Sequence, residues 1–307
     1  MTEATGSNGA QASVWTLSDE AKDACLPVLR TLDRDLYLST LLLPSAVQPL
    51  GALLFGIHGE LHRCVLMPGD VMARQIRLQW WVEVFDGTRR EEGKGHPLAH
   101  AALSAIDADL VSPKVLADKA AAHQLELYAD PFENRDALEG WAGETRSVLF
   151  QTLANAAGPS QTSSDTAQGL SAVFGHAGVA CALVSLLQTF AVRLRNGSVA
   201  FPGDLLTAVG LDAESAMEIA QTSQGREKLA PPIGGLLDLA LEHERKARDA
   251  FDALPDAERR RIAPLVRPLV LVVPTVARLR KRPDAVWQGD AAVPQWRSQW
   301  LLWRGVR

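Results

Sequence analysis

Between Thr166 and Val192 the chain runs for 27 residues without a formal charge. A stretch that long is buried either in a bilayer or in protein. Gln168, Ser171, Gly175, His176, Gly178, Ser185, Gln188 and Thr189 interrupt it. Those polar and small groups are costly against lipid, and the chain offers no second stretch of the kind. The reading is a buried core helix, with no transmembrane helix. Composition points the same way: 45 Ala and 44 Leu stand against 24 Val and 6 Ile. Ala and Leu favour helix, and the scarce β-branched residues are those that favour strands.

A net charge of −5 argues against a nucleic-acid partner, for which a basic surface is expected. Cys25, Cys64 and Cys181 are odd in number, far apart and without CxxC spacing, so neither a disulfide framework nor a zinc ribbon is indicated. Cys64 lies beside Arg63 but has no base near it in sequence, and reads as structural. Residues 1–17 read as a disordered tail without signal-peptide character, and residues 18–307 as one helical domain. The expected location is the cytoplasm, with peripheral membrane contact left open.

Caps and breakers divide the domain into about a dozen helices. Ser18 followed by Asp19 and Glu20 makes a helix start, and Pro44 stops the segment that begins there. Helices follow over 50–66, 71–86, 97–108, 113–128 and 136–157, with a charged loop over 87–95 and a turn at Asp130-Pro131. Residues 158–165 read as a mobile loop, and 169–195 as the central helix, closed by Asn196-Gly197. Further helices are expected over 202–209 and 236–254, separated by a loop around Pro231-Pro232. A last one, over 257–282, is kinked by Pro264, Pro268 and Pro274. No phosphate loop, GxGxxG, HExxH or GxSxG motif occurs.

Several segments, in order, resemble the squalene/phytoene synthase family. They are Asp35-Leu36-Tyr37-Leu38-Ser39-Thr40-Leu41-Leu42-Leu43-Pro44, Leu54-Phe55-Gly56-Ile57, His96-Pro97, the turn from Tyr128 to Phe132, and Gly197-Ser198-Val199-Ala200-Phe201-Pro202. Arg77-Leu78-Gln79-Trp80-Trp81 and the closing Pro294 to Arg304 resemble one branch of it, which includes the mitochondrial respiratory complex I assembly factor and its bacterial relatives. The resemblance implies an all-α isoprenoid-synthase-like bundle with a central cavity.

The family's chemistry joins two prenyl diphosphates and needs magnesium to carry the leaving group, held by carboxylates spaced i and i+4 on two helices. Aligned on the family's segments, the first pair falls at His62 and Leu66 and the second at Thr189 and Arg193. None of the four is acidic, and Arg193 reverses the charge. Glu60 is the one carboxylate between Leu50 and Pro68, and none lies between Thr166 and Val192, so shifting the alignment restores neither pair. The resemblance therefore implies a member without catalytic residues, without a resident metal and with no magnesium cofactor. It would act as a binding or respiratory-complex assembly factor toward a protein partner or a prenyl lipid.

Two alternatives stay open: a prenyl-diphosphate transferase with an unusual site, and a prenyl-lipid carrier or sensor. Arg63, Arg193 and Arg195 could hold an anion in place of magnesium; Arg193 and Arg195 read otherwise as surface charges complementing a helix end. His58 and His62, one turn apart, form a minimal transition-metal pair or, more simply, satisfied helix histidines. Trp80 and Trp81 could line a lipid pocket, or be core. Residues 264–282, apolar and then basic, could meet an anionic membrane or form a core helix with a charged exit.

Overall fold

The computed structural model describes residues 15–130, 132–158 and 163–306. The turn at Asp130-Pro131 and the loop over 158–165 fall partly outside the described residues, as does nearly all of the N-terminal tail. Among the described residues there is no strand, and twelve helices have eight or more residues. They are α1 (Asp19–Leu32), α2 (Arg34–Leu41), α3 (Gln48–Leu66), α4 (Val71–Phe85), α5 (Pro97–Asp107), α6 (Pro113–Leu125), α7 (Arg135–Ala142), α8 (Val148–Ala156), α9 (Ser164–Arg195), α10 (Ala230–Asp252), α11 (Val272–Lys281) and α12 (Gln295–Arg304).

The long uncharged stretch lies within α9, which packs most extensively on α10. It is the one described helix long and apolar enough to cross a bilayer, and its apolar part is mostly covered by other helices. Such close cover needs small residues. A Cβ on Gly178 would come within 2.3 Å of Ser147 Cα, which is backbone and cannot swing aside. Gly56 on α3 lets Cys25 of α1 approach in the same way.

Local chemistry explains most helix ends. The Ser18 hydroxyl accepts from Ala21 N at 3.2 Å, and Asp70 accepts from Met72 N at 2.8 Å. Asp33 closes α1 and starts α2, taking Leu36 N on one carboxylate oxygen at 2.9 Å. Between α7 and α8 the winding widens to a π turn, Gly143–Ser147.

Three sequence expectations are corrected. Pro231 and Pro232 do not sit in a loop; they occupy the first turn of α10, where the missing N–H costs nothing. The segment over 257–282 is broken rather than kinked, with an 82° bend between Asp256–Ile262 and Arg267–Lys281. Residues 87–95 contain a one-turn helix, Arg90–Gly93. The tryptophan-rich end forms α12.

Trp81 is core, and Trp80 is partly buried. The Trp80 and Trp81 rings lie 5.7 and 5.2 Å from that of His96, which caps α5.

Candidate functional site

Four elements send polar side chains into the middle of the bundle, most of them in pairs one helical turn apart. From α3 come His58 and His62. From α6 and the residue that follows it come Lys119, His123 and Glu126. The π turn contributes Thr145 and Arg146, and α9 contributes Thr189 and Arg193. His58, His62, Lys119, His123, Glu126, Arg146 and Arg193 are all buried.

Glu126 is the hub. One carboxylate oxygen meets Arg193 Nη1 at 2.5 Å. The other accepts from His123 Nδ1 and, at 3.2 Å, from Trp141 Nε1. Arg193 Nη2 donates to His62 Nε2 at 3.0 Å, and its Nε donates to Thr189 Oγ1 at 3.0 Å. Lys119 Nζ donates to His58 Nδ1 at 3.1 Å and to the Thr145 carbonyl. Arg146 Nη2 donates to the free oxygen of Asp33 at 3.2 Å. The His58 ring lies 5.6 Å from that of His62 and 5.5 Å from that of His123.

These groups set one another's protonation. Burial pushes the Glu126 carboxyl up, but the Arg193 charge and the hydrogen bond from His123 outweigh it, and the group stays ionised below the ordinary carboxylate range. Burial holds His58 and His62 well below the usual imidazole value, helped by Arg146 and Lys119 at His58 and by Arg193 at His62. His123 is lowered chiefly by burial. Lys119 is lowered strongly, first by burial and then by Arg146. The result is a network of neutral imidazoles around ion pairs that balance internally.

The structure brings together three of the four positions aligned with the magnesium carboxylates. His62, Thr189 and Arg193 form one hydrogen-bonded chain, while Leu66 is simply buried. Arg193 lies in the last turn of α9, but it is not the surface charge that the sequence suggested; it is buried and points inward to Glu126. Arg63 stays half-buried and pairs with Glu60 at 2.5 Å, and Arg195 is exposed at the end of α9. Of the three arginines, only Arg193 enters this interior network.

Magnesium does not fit this donor set. The carboxylate in the centre is already taken by a guanidinium, and its neighbours are nitrogen donors and a second cation. Among the described residues, no group of three or more His, Cys, Asp or Glu side chains is placed to hold a metal ion.

A cleft of about 40 Å³ is lined by Asp33, Asp35, Arg146, Cys181, Ser185 and Gln188. That is room for water, against the roughly 300 Å³ or more of an ordinary small-molecule site. Two carboxylates line this cleft, and burial with Asp33 nearby pushes Asp35 up to about 6. The larger groove by Trp287, about 550 Å³, opens elsewhere, between Ile233, Leu237 and Leu279.

Sequence reasoning missed Lys119, His123, Glu126 and Arg146. A signal for Glu126 existed. An arginine on the inward face of a helix this apolar needs a carboxylate partner, and the partner had to come from another helix.

The squalene/phytoene synthase family matches residues 29–304. A comparison with curated proteins finds no match. Among solved structures the fold is similar to a dehydrosqualene synthase in complex with ligand, with TM-score 0.66 and 15% identity over 93% of this chain and 95% of that one. It is also similar to YisP from Bacillus subtilis, with TM-score 0.61 and 14% identity over 92% and 95% of the two chains. A third similar structure is squalene synthase HpnC from Alicyclobacillus acidocaldarius, with TM-score 0.56 and 13% identity over 88% and 94%.

Proposed function

The chain belongs to the squalene/phytoene synthase family, and from that premise we propose that it is a non-catalytic member that acts by binding, as a respiratory-complex assembly factor. The observation that carries the first half is the His62–Arg193–Glu126 chain. Prenyl-diphosphate chemistry needs divalent cations at those helix positions. Arg193 repels a divalent cation there, and the one carboxylate beside it, Glu126, is already engaged by that guanidinium. Removing Arg193 does not mend this, because His62, Leu66 and Thr189 supply no carboxylate.

The size and charge of the interior support the same reading. About 40 Å³ of open space beside Asp33 and Asp35 suits neither a prenyl chain nor a diphosphate. The binding half is supported by α12. The residues that resemble the assembly-factor branch, Pro294 to Arg304, stand on the outside with three exposed tryptophans, where they can meet a partner.

The test is incubation of the full chain with farnesyl or geranylgeranyl diphosphate and magnesium, beside an active squalene synthase. Diphosphate release no faster than without protein is expected. Protein-dependent squalene, phytoene or diphosphate release overturns the non-catalytic reading. Deletion of the gene is expected to lower complex I activity in membranes, and complementation to restore it. Undiminished activity overturns the assembly role.

A further inference from the structure

The chain's charge is unevenly distributed along its length. Residues 264–307 hold eight Lys and Arg against two Asp, while the whole chain carries −5. The acidic excess therefore lies entirely before residue 264.

This basic stretch contains α12, and α12 has two unlike faces. Ser298 and Leu302, one turn apart, are buried against the body. Arg267 Nη1 holds the end of the helix through the carbonyls of Leu302 and Trp303. On the other side, Trp296, Trp300 and Trp303 fall at i, i+4 and i+7, one stripe of the helix. They are 72%, 48% and 72% exposed. Large indoles in solvent on a single stripe call for a partner.

Cations flank the stripe. Arg304 lies over the Trp300 ring at 4.5 Å. Arg297 opens onto a groove of about 270 Å³ shared with Pro274, Arg278, Lys281, Arg282 and Pro294. Asp290 is the acidic partner there, 2.7 Å from Arg278 and 3.4 Å from Arg282. No ion pair to Lys281, Arg297 or Arg304 is formed among the described residues.

We propose that α12, with the basic end of α11, is a docking surface for an anionic lipid bilayer, with the three indoles at headgroup depth and Lys281, Arg282, Arg297 and Arg304 facing lipid phosphates. Indoles favour the membrane–water interface, where the ring is apolar and the N–H stays wet. Each nearby Lys or Arg adds attraction to an anionic leaflet. Charge chooses this occupant over a second copy of the chain, whose matching stripe would be equally basic and repelled. The proposal holds whether or not the interior turns over a diphosphate.

The experiment is co-sedimentation of the full chain with phosphatidylcholine vesicles, with and without phosphatidylglycerol, alongside quenching of tryptophan emission by brominated acyl chains. Binding and quenching are expected on the anionic vesicles, with release toward 1 M salt, where the screening length is about 3 Å. Lys281→Ala and Arg297→Ala should each weaken partitioning about fivefold. Trp296→Ala with Trp303→Ala should weaken it at least about tenfold, without changing the thermal midpoint. Ile76→Ala, an exposed apolar change on α4, should leave it unaltered. No partitioning onto anionic vesicles overturns the proposal. So does equal partitioning onto neutral ones, or unchanged binding by the double tryptophan variant. A concentration-dependent dimer that this variant abolishes would reassign the face to contact between copies.

Discussion

Glu126→Gln tests the interior network with one nearly isosteric change. The side chain keeps an acceptor for His123 and Trp141 but loses the charge facing Arg193, and its new N–H group meets a donor. Both partners of the ion pair are essentially sealed from solvent, at 2% and 0% exposure. Removing one member of such a pair strands the other, at a cost of about 3–5 kcal/mol. Unfolding entropy of roughly 2.1 cal/mol/K per residue gives about 0.6 kcal/mol/K for a chain of 307 residues. The thermal midpoint, followed by circular dichroism, should therefore fall by about 5–8 °C. Adding Arg193→Met removes the stranded charge and should recover most of the loss, with a coupling of at least about 2 kcal/mol. The sign with pH is fixed as well. The folded carboxyl lies below its unfolded value of 4.5. Its stabilisation is thus present above that pH and is lost as pH falls toward the folded value. The reasoning fails if Glu126→Gln melts within about 1 °C of the parent, or if the two changes simply add.

Four further outcomes are expected. His58, His62 and His123 are held neutral, below 6.5, so stability should decline as pH drops below that value; in His62→Gln, which keeps an acceptor for Arg193, denaturant titrations should show a shallower decline. Arg193→Asp places a second carboxylate beside Glu126, and should lower the midpoint by several degrees without producing turnover in the diphosphate-release assay. The three cysteines are buried, with Cys25 pushed up to about 11 and Cys64 and Cys181 to about 12; a thiol-reactive dye should label the native chain slowly and the denatured chain at once. Gly178→Ala forces a methyl group onto the backbone at Ser147, and should cost about 1–3 kcal/mol by denaturant unfolding.

The helical layout was legible because α1, α3 and α9 announce themselves locally, through Ser18, the prolines and the uncharged stretch. The prolines of α10 were less legible, since a Pro-Pro pair fits a loop or a first helical turn equally well, and packing decides. The aligned positions His62, Thr189 and Arg193 were found in sequence and meet in space. Their hub was not found. Glu126 lies 67 residues before Arg193, just past the end of a helix that the sequence placed without marking its inward face. Spacing along one helix reveals which side chains share a face, but not which other helix answers them.

The π turn at Gly143–Ser147 has a consequence for alignment. On a regular α-helix, side chains five positions apart diverge by about 140°. Trp141 and Arg146 are five apart, yet each reaches a carboxylate, the buried Glu126 and the partly buried Asp33 respectively. The wider coil works like an extra tooth on a gear, offsetting the phase of everything upstream against everything downstream. Deleting a single residue there would straighten the coil and leave one of these two contacts facing outward, so a one-position gap in a relative at this point marks a rewired interior rather than a trivial loss.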